Sequence, residues 1–313
     1  MPQKNNVHSS LSLKHAAAVI AACAAFLIFT QAVMGLTVMH VLIVVLFAIL
    51  YFSHPLTRKL AIAMLPFILF AITYDWMRLW PNYKVNPIDI QPIYEAEKHL
   101  FGIPADGAVI TPNEYFSIHH HPIADALAGF FYLCWVPLPI AFGLWLFFHG
   151  ERRMYAHFAL VFLLVNWLGF CGYYIHPAAP PWYALNFGFE PDFSTPGNVA
   201  GLARFDELIG IPVFSSIYAG NSNIFAAVPS LHAAYMLITT IYAILSRRHP
   251  AVIAIFALIT MGIWWTAVYS CHHYIIDVLL GIATAFIAVL LFEQVLMRIP
   301  PFRRFVERFI QLI

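Results

Sequence analysis

The chain has 313 residues, 62% of them hydrophobic and only 10% charged, with a formal net charge of +1. A soluble domain carries about 25% charged residues, so this composition excludes an ordinary soluble globular protein and points to the membrane. The near-zero net charge offers nothing to a polyanion and excludes nucleic acid as a partner. Four scattered cysteines (Cys23, Cys134, Cys171, Cys271) define neither a disulfide framework nor a zinc ribbon.

Spanning the hydrocarbon layer takes about 20 apolar residues as helix. In chain order, candidate spans fall at 16–34, 37–52, 60–77, 123–148, 154–175, 227–246, 251–270 and 274–297. The first apolar run follows Lys4 and Lys14 but is long for a signal peptide and lacks a small-residue cleavage site, so it reads as a helix. Between the third and fourth spans, "IYEAEKHLFG" (93–102) mixes apolar and charged residues like a short interfacial helix. "HHH" at 119–121 sits at the mouth of the fourth span; adjacent side chains diverge on a helix, so these residues read as a loop or pocket rim rather than a metal site. "HPAAPPWY" (176–183) stops the fifth span, because Pro177, Pro180 and Pro181 cannot extend it.

The expected fold is an all-α polytopic membrane bundle of about eight transmembrane helices. Residues 1–58 form an N-terminal helix pair, 59–297 a catalytic core and 298–313 a basic tail, all in one integral membrane domain. Eight crossings put both termini on one side. With them go the short connections and Lys4, Lys14, Arg58, Lys59, Arg152, Arg153, Arg247, Arg248, Arg298, Arg303, Arg304 and Arg308, whereas Arg78, Lys84, Lys98 and Arg204 fall on the other. By the positive-inside rule the basic side is cytoplasmic and the long loops near 78–122 and 176–226 face outward.

That topology brings two motifs to one membrane face. "VPSLHAAY" (228–235) opens one span and "YSCHHYIID" (269–277) joins the next two, so His232, His272, His273 and Asp277 meet there. His273 and Asp277 are four apart, a spacing that stacks side chains on one helix face. The carboxylate then fixes the imidazole tautomer and leaves its other nitrogen as a lone pair, fit for a base or nucleophile. Pro229 and Ser230 form a helix start whose unpaired N–H groups suit phosphate oxygens, with His232 one step inside as a proton donor. A rival pairing of Cys271 with His272 is disfavoured because neighbouring side chains diverge.

This combination resembles the type 2 phosphatidic-acid phosphatase superfamily, whose motifs include Pro-Ser-Gly-His and Ser-Arg-x5-His-x3-Asp. Pro229, Ser230 and His232 match the first, and His273 and Asp277 the second. Leu231 stands at the glycine position and Ala267 at the arginine position, and no Lys-x6-Arg-Pro occurs. The usual phosphate clamp is therefore missing, which counts against an ordinary phosphatase. "YDWMR" (74–78), "HHHPIAD" (119–125), "YYIHPAAPPWY" (173–183), "VPSLHAAY" and "HHYIIDVLLG" (272–281) are similar to the branch of inositol phosphorylceramide synthases and related sphingolipid head-group transferases.

The resemblance implies a six-helix phosphatase-like core preceded by about two extra helices; the basic-residue count turns the active site outward, and the short termini without appended domains suggest a bacterial inner membrane. The resemblance also implies His273 as nucleophile, Asp277 as its orienter and His232 as acid and base. The substrates are phosphatidylinositol and ceramide, with diacylglycerol as product; the partner is the bilayer, and no cofactor or metal is called for. In place of the missing arginine, Arg78 is the candidate clamp, with Asp75 three residues earlier placed to orient it and the N–H groups at 230–232 assisting. Tyr174, Trp182, His272 and Tyr274 are candidate pocket residues. Two other classes compete: a lipid phosphatase that uses water as acceptor, and a non-enzymatic transporter or proton relay using membrane-embedded histidines.

Overall fold

The computed structural model describes residues 13–105, 107–220 and 223–313; Lys4 lies outside them. The described chain is almost wholly helical. Among the described residues the only strands are Ile103–Ala105 and Ala108–Ile110, a short antiparallel hairpin. Two compact units form, one ending at Ala63 and one running from Met64 to Ile313.

Among the described residues four helices are long and apolar enough to cross a membrane: Leu13–Met34, Arg152–Ile175, Pro250–Tyr269 and Ile275–Arg298. Two interrupted pairs pass the same test together, Pro55–Ala63 with Leu65–Leu79 and Pro122–Leu133 with Pro137–Phe148, the latter bent by 40°. The protein is thus a multi-pass all-α membrane protein. The remaining two expected spans are shorter apolar helices, Val38–Ser53 and Leu231–Leu245, so the count of eight is not reached on length. The stretch 123–148, read as one span, breaks at Cys134–Val136 because Pro137 has no N–H to carry the helix through.

Proline marks helix starts through this chain: Pro92, Pro112, Pro122, Pro137, Pro181, Pro250 and Pro300 all stand in the first turn, where the missing N–H costs nothing. In the second unit, Arg152–Ile175 is the hub. It packs against Leu65–Trp76, Pro137–Phe148, Leu231–Leu245 and Ile275–Leu290 and buries Ala156, Ala159, Val161 and Val165 completely. Outer helices keep a strongly apolar exposed face, including Ile255, Leu258 and Met261 on one and Leu279, Phe286 and Ile287 on another, as lipid contact requires.

"HPAAPPWY" does more than stop a helix. Ala178 bridges in parallel to Asp89 on one side and to Ala226 on the other. The Asp89 N–H donates to the Pro177 carbonyl at 2.8 Å, and the Ala178 N–H to the Phe225 carbonyl at 3.1 Å. Small side chains permit backbone on both flanks. The Trp182 N–H then donates to the Cys271 carbonyl at 3.0 Å, stitching this loop to the link between the last two spans.

Candidate active site

The site is built where two helices begin. Ser230 caps Leu231–Leu245, its hydroxyl accepting the Ala233 N–H at 3.4 Å, which sets His232 in the first turn. Its backbone N–H donates to the Asp277 carbonyl at 3.0 Å. Gly281 makes that approach possible, because a Cβ there would fall on the Ser230 carbonyl oxygen. Gly169 likewise clears the space taken by Leu231, which accommodates leucine at the superfamily's glycine position.

Residues 270–274 link Pro250–Tyr269 to Ile275–Leu290. The N–H groups of His272 and His273 both donate to the Ala267 carbonyl, at 3.0 and 2.9 Å. Ala267 is completely buried in an apolar cluster with Tyr132, Leu202 and Phe214. The position of the superfamily arginine therefore points into core and contributes its backbone to the link.

Three predicted residues come together in line. His232 Nδ1 lies 3.0 Å from His273 Nε2, and His273 Nδ1 lies 3.3 Å from Asp277 Oδ2. The same Asp277 oxygen accepts the Tyr274 N–H at 3.0 Å. Both imidazoles of the link are buried, and burial depresses His272 and His273 below the usual histidine range, which keeps them neutral. His232 is held between aromatic rings, Tyr132 stacked at 5.0 Å and Trp135 at 4.5 Å.

His232, His272 and His273 line a cavity of ≈ 230 Å³ whose other walls are largely aromatic, among them Phe70, Tyr74, Phe170, Tyr173 and Trp182. His272 Nδ1 meets the Ser270 hydroxyl at 3.0 Å, while its Nε2 is buried without a partner. Trp182 is thus at the cavity. Tyr174 is not: its hydroxyl donates to the Trp80 carbonyl at 2.6 Å, and its neighbour Tyr173 takes the wall. Ser230 and Tyr274 stand behind the wall as helix caps. Asp75 and Arg78 pair with each other, and Arg78 lines a second cavity rather than the histidine one.

Several contributors carry no motif that the sequence analysis used. Asn113 donates its amide to the carbonyls of Val268 at 2.9 Å and His273 at 3.0 Å, holding the link from below. Glu97 is completely buried and accepts the N–H groups of Ile275 at 2.8 Å and Ile276 at 3.2 Å. It projects from Gln91–Phe101, the helix read from sequence as interfacial. Burial pushes its carboxyl up to about 7; the two N–H bonds pull it down, and the Asp277 charge adds to the rise. Trp135 follows the Pro122–Leu133 helix and faces the site from its break. Asn113 and Trp135 stand beside helix boundaries, a signal that could have found them, whereas Glu97 lies mid-helix and carries none.

The "HHH" residues do not converge. His119 stacks on Tyr115, His120 faces Asp125 at 3.7 Å, and His121 caps the helix that follows. Among the described residues no three His, Cys, Asp or Glu side chains group as metal ligands.

A His–His–Asp line at paired helix starts, with His273 and Asp277 buried and His232 half-buried, inside an apolar polytopic bundle, defines a membrane enzyme of phosphoryl chemistry. Residues 110–291 match the PAP2 superfamily. The chain is 58% identical over 302 residues to the phosphoinositol dihydroceramide synthase of Bacteroides thetaiotaomicron, covering 96% of this chain and 99% of that one. It is 30% identical to the inositol phosphorylceramide synthase of Candida albicans, over 51% of this chain and 35% of that protein. It is 26% identical to the catalytic subunit of the Saccharomyces cerevisiae inositol phosphorylceramide synthase, over 75% and 57%. No solved structure matches. The chain belongs to the PAP2 superfamily, in its inositol phosphorylceramide synthase-like branch, the sphingolipid head-group transferases.

Proposed function

We propose that the protein moves inositol phosphate from phosphatidylinositol to ceramide in two displacements, through a phospho-histidine at His273. The observation that carries the reading is the line from Asp277 through His273 to His232, with contacts of 3.3 and 3.0 Å. The names of the relatives give the product class, inositol phosphate on ceramide or dihydroceramide, and phosphatidylinositol is the donor lipid that fits it.

Tautomers follow from the hydrogen-bond network. An ionised Asp277 accepts the His273 Nδ1–H, so His273 Nε2 holds a lone pair. His232 must then donate its Nδ1–H to that lone pair. At rest, the proton that masks the nucleophile is the one the leaving group needs. As a phosphodiester enters, its negative charge favours the imidazolium form of His232, which gives its Nδ1 proton to the diacylglycerol oxygen, is left as neutral imidazole and frees Nε2 of His273. The N–P bond forms, the P–O bond to diacylglycerol breaks, and that oxygen takes the proton. Asp277 steadies the positive charge on the phosphorylated ring. Ceramide then gives its hydroxyl proton to His232 Nδ1, its oxygen attacks phosphorus, and the N–P bond breaks. Both histidines return to their starting state.

Charge on the equatorial oxygens is met by N–H donors at the Leu231–Leu245 start, in keeping with the anion preference of helix N-termini. We place this face outward, with the termini in the cytoplasm of a bacterial cell; the skew of basic residues supports that orientation.

The test is purified protein in detergent with labelled phosphatidylinositol and ceramide. The expected products are ceramide phosphoinositol and diacylglycerol. Without ceramide, rapid quenching captures an acid-labile label on the protein that His273→Ala loses, and His232→Ala slows its formation by about 10²–10⁴. Head-group release to water with no transfer makes the protein a hydrolase and overturns the reading.

A further inference from the structure

A second cavity, of ≈ 360 Å³, adjoins the histidine cavity: Asn223 and Ile224 line both. Its chemistry is different. Tyr83 and Phe193, with ring centroids 4.4 Å apart, form an aromatic floor. Around it stand the Arg78 guanidinium, the Thr195 hydroxyl and the Asn223 amide. The Thr195 hydroxyl is turned in from solvent beside the Asp192 carboxylate, which it helps to stabilise together with the N–H and hydroxyl of Ser194.

We propose that this second cavity holds the polyol ring of the donor head group while its phosphorus lies at His273. The inference rests on the two-displacement reading above and adds where the head group resides during it. A cyclic polyol presents an apolar C–H face and a rim of hydroxyls that both donate and accept. An aromatic floor ringed by guanidinium, hydroxyl and amide matches both surfaces. Two-step transfer also makes a demand on geometry: diacylglycerol must leave and ceramide must enter while the phosphorylated head group stays. Aromatic walls at the histidines suit the two lipids in turn, and a separate polar cavity sharing the Asn223–Ile224 wall lets the head group remain.

The experiment uses labelled glycerophosphoinositol, which keeps the head group and phosphodiester but has no acyl chains, in equilibrium dialysis against the purified full chain. Wild-type protein is expected to bind it, and Thr195→Val and Phe193→Ala each to weaken binding about tenfold, the size of one lost polar or stacking contact. Thr195→Ser restores the hydroxyl and should bind as wild type. Glycerophosphoglycerol, a linear polyol, should bind about tenfold more weakly than the ring. In the transfer assay the two weakening variants should raise KM for phosphatidylinositol and leave KM for ceramide within about twofold.

Absence of wild-type binding, equal binding by the variants, or equal binding of the linear polyol overturns the subsite. So does a raised KM for ceramide alone, which assigns the cavity to the acceptor. A wild-type protein that transfers nothing between the two lipids overturns the two-displacement reading instead, and the dialysis result still decides the subsite.

Discussion

Two stretches of this chain carry the same spacing, a histidine with an aspartate four residues on, and use it differently. At His121 the ring turns back on its own chain: Nδ1 accepts the Ile123 N–H at 3.2 Å and caps the helix. Asp125 is left to others, receiving Arg204 Nε at 2.6 Å and the Tyr269 hydroxyl at 2.8 Å. At His273 the ring reaches outward to Asp277 and His232. The difference lies in who satisfies the helix start. His121 must cap its own helix, whereas Glu97 arrives from Gln91–Phe101 and takes the first N–H groups of Ile275–Leu290. Spacing makes a histidine–aspartate pair available; an external cap releases the ring to use it.

The largest effect that would break this comparison is on activity. His273→Ala should remove transfer by at least about 10³-fold, as loss of a covalent nucleophile does. His121→Ala should leave turnover within about twofold and cost about 1 kcal/mol of stability, as for a lost N-cap. Parallel kinetics and thermal melts in detergent read both. Comparable activity losses at the two histidines would mean that the upstream pair is also catalytic.

Next in size is a stability effect at the upstream aspartate. Asp125 is buried and holds Arg204 and Tyr269, with the Arg204 guanidinium 5.0 Å from the Tyr269 ring. Removing one partner of a buried ion pair strands the other and costs about 3–5 kcal/mol. Asp125→Ala should therefore lower the melting temperature far more than His121→Ala does. The network meets the catalytic link at its edge, where Tyr269 precedes Ser270 and the Arg204 charge reaches Cys271, rather than at His273. Residual transfer at low temperature should accordingly persist in the folded fraction. Complete inactivity of well-folded Asp125→Ala would instead place this network in the chemistry.

The helical, polytopic character and the meeting of His232 with His273 and Asp277 were legible because both rest on local signals, apolar run length and alternating direction. The pocket was less so. Trp182 was reached through a proline-rich stop, but Tyr174 and Tyr173 are neighbours, and sequence does not say which ring faces inward. Arg78 and Asp75 were paired correctly by spacing, yet nothing in the spacing says which cavity the guanidinium enters. Asn113 and Glu97 act across 155 or more residues. Long-range partners of backbone groups leave no periodic trace.

Glu97 supplies the smallest effect and the sharpest test of the external cap. Its carboxyl rises from the ordinary glutamate value of 4.5 to about 7, chiefly because the side chain is buried. A folded-state pKa above the unfolded one means that the native protein holds the proton more tightly. The contribution is therefore complete below the unfolded pKa and is lost as pH rises through about 7. Wild-type melting temperature should fall by several degrees between about pH 5 and pH 8 from this source. Glu97→Gln, neutral throughout and still able to accept one N–H, should flatten that slope while keeping most of its transfer activity. Glu97→Ala leaves the Ile275 and Ile276 N–H groups uncapped, and His273 is then the nearest ring able to turn back on them, as His121 does. Its turnover should drop more than its stability, with KM for both lipids little changed. An unaltered pH slope in Glu97→Gln would locate the titration elsewhere, and unaltered turnover in Glu97→Ala would show that the imidazole holds its place without the external cap.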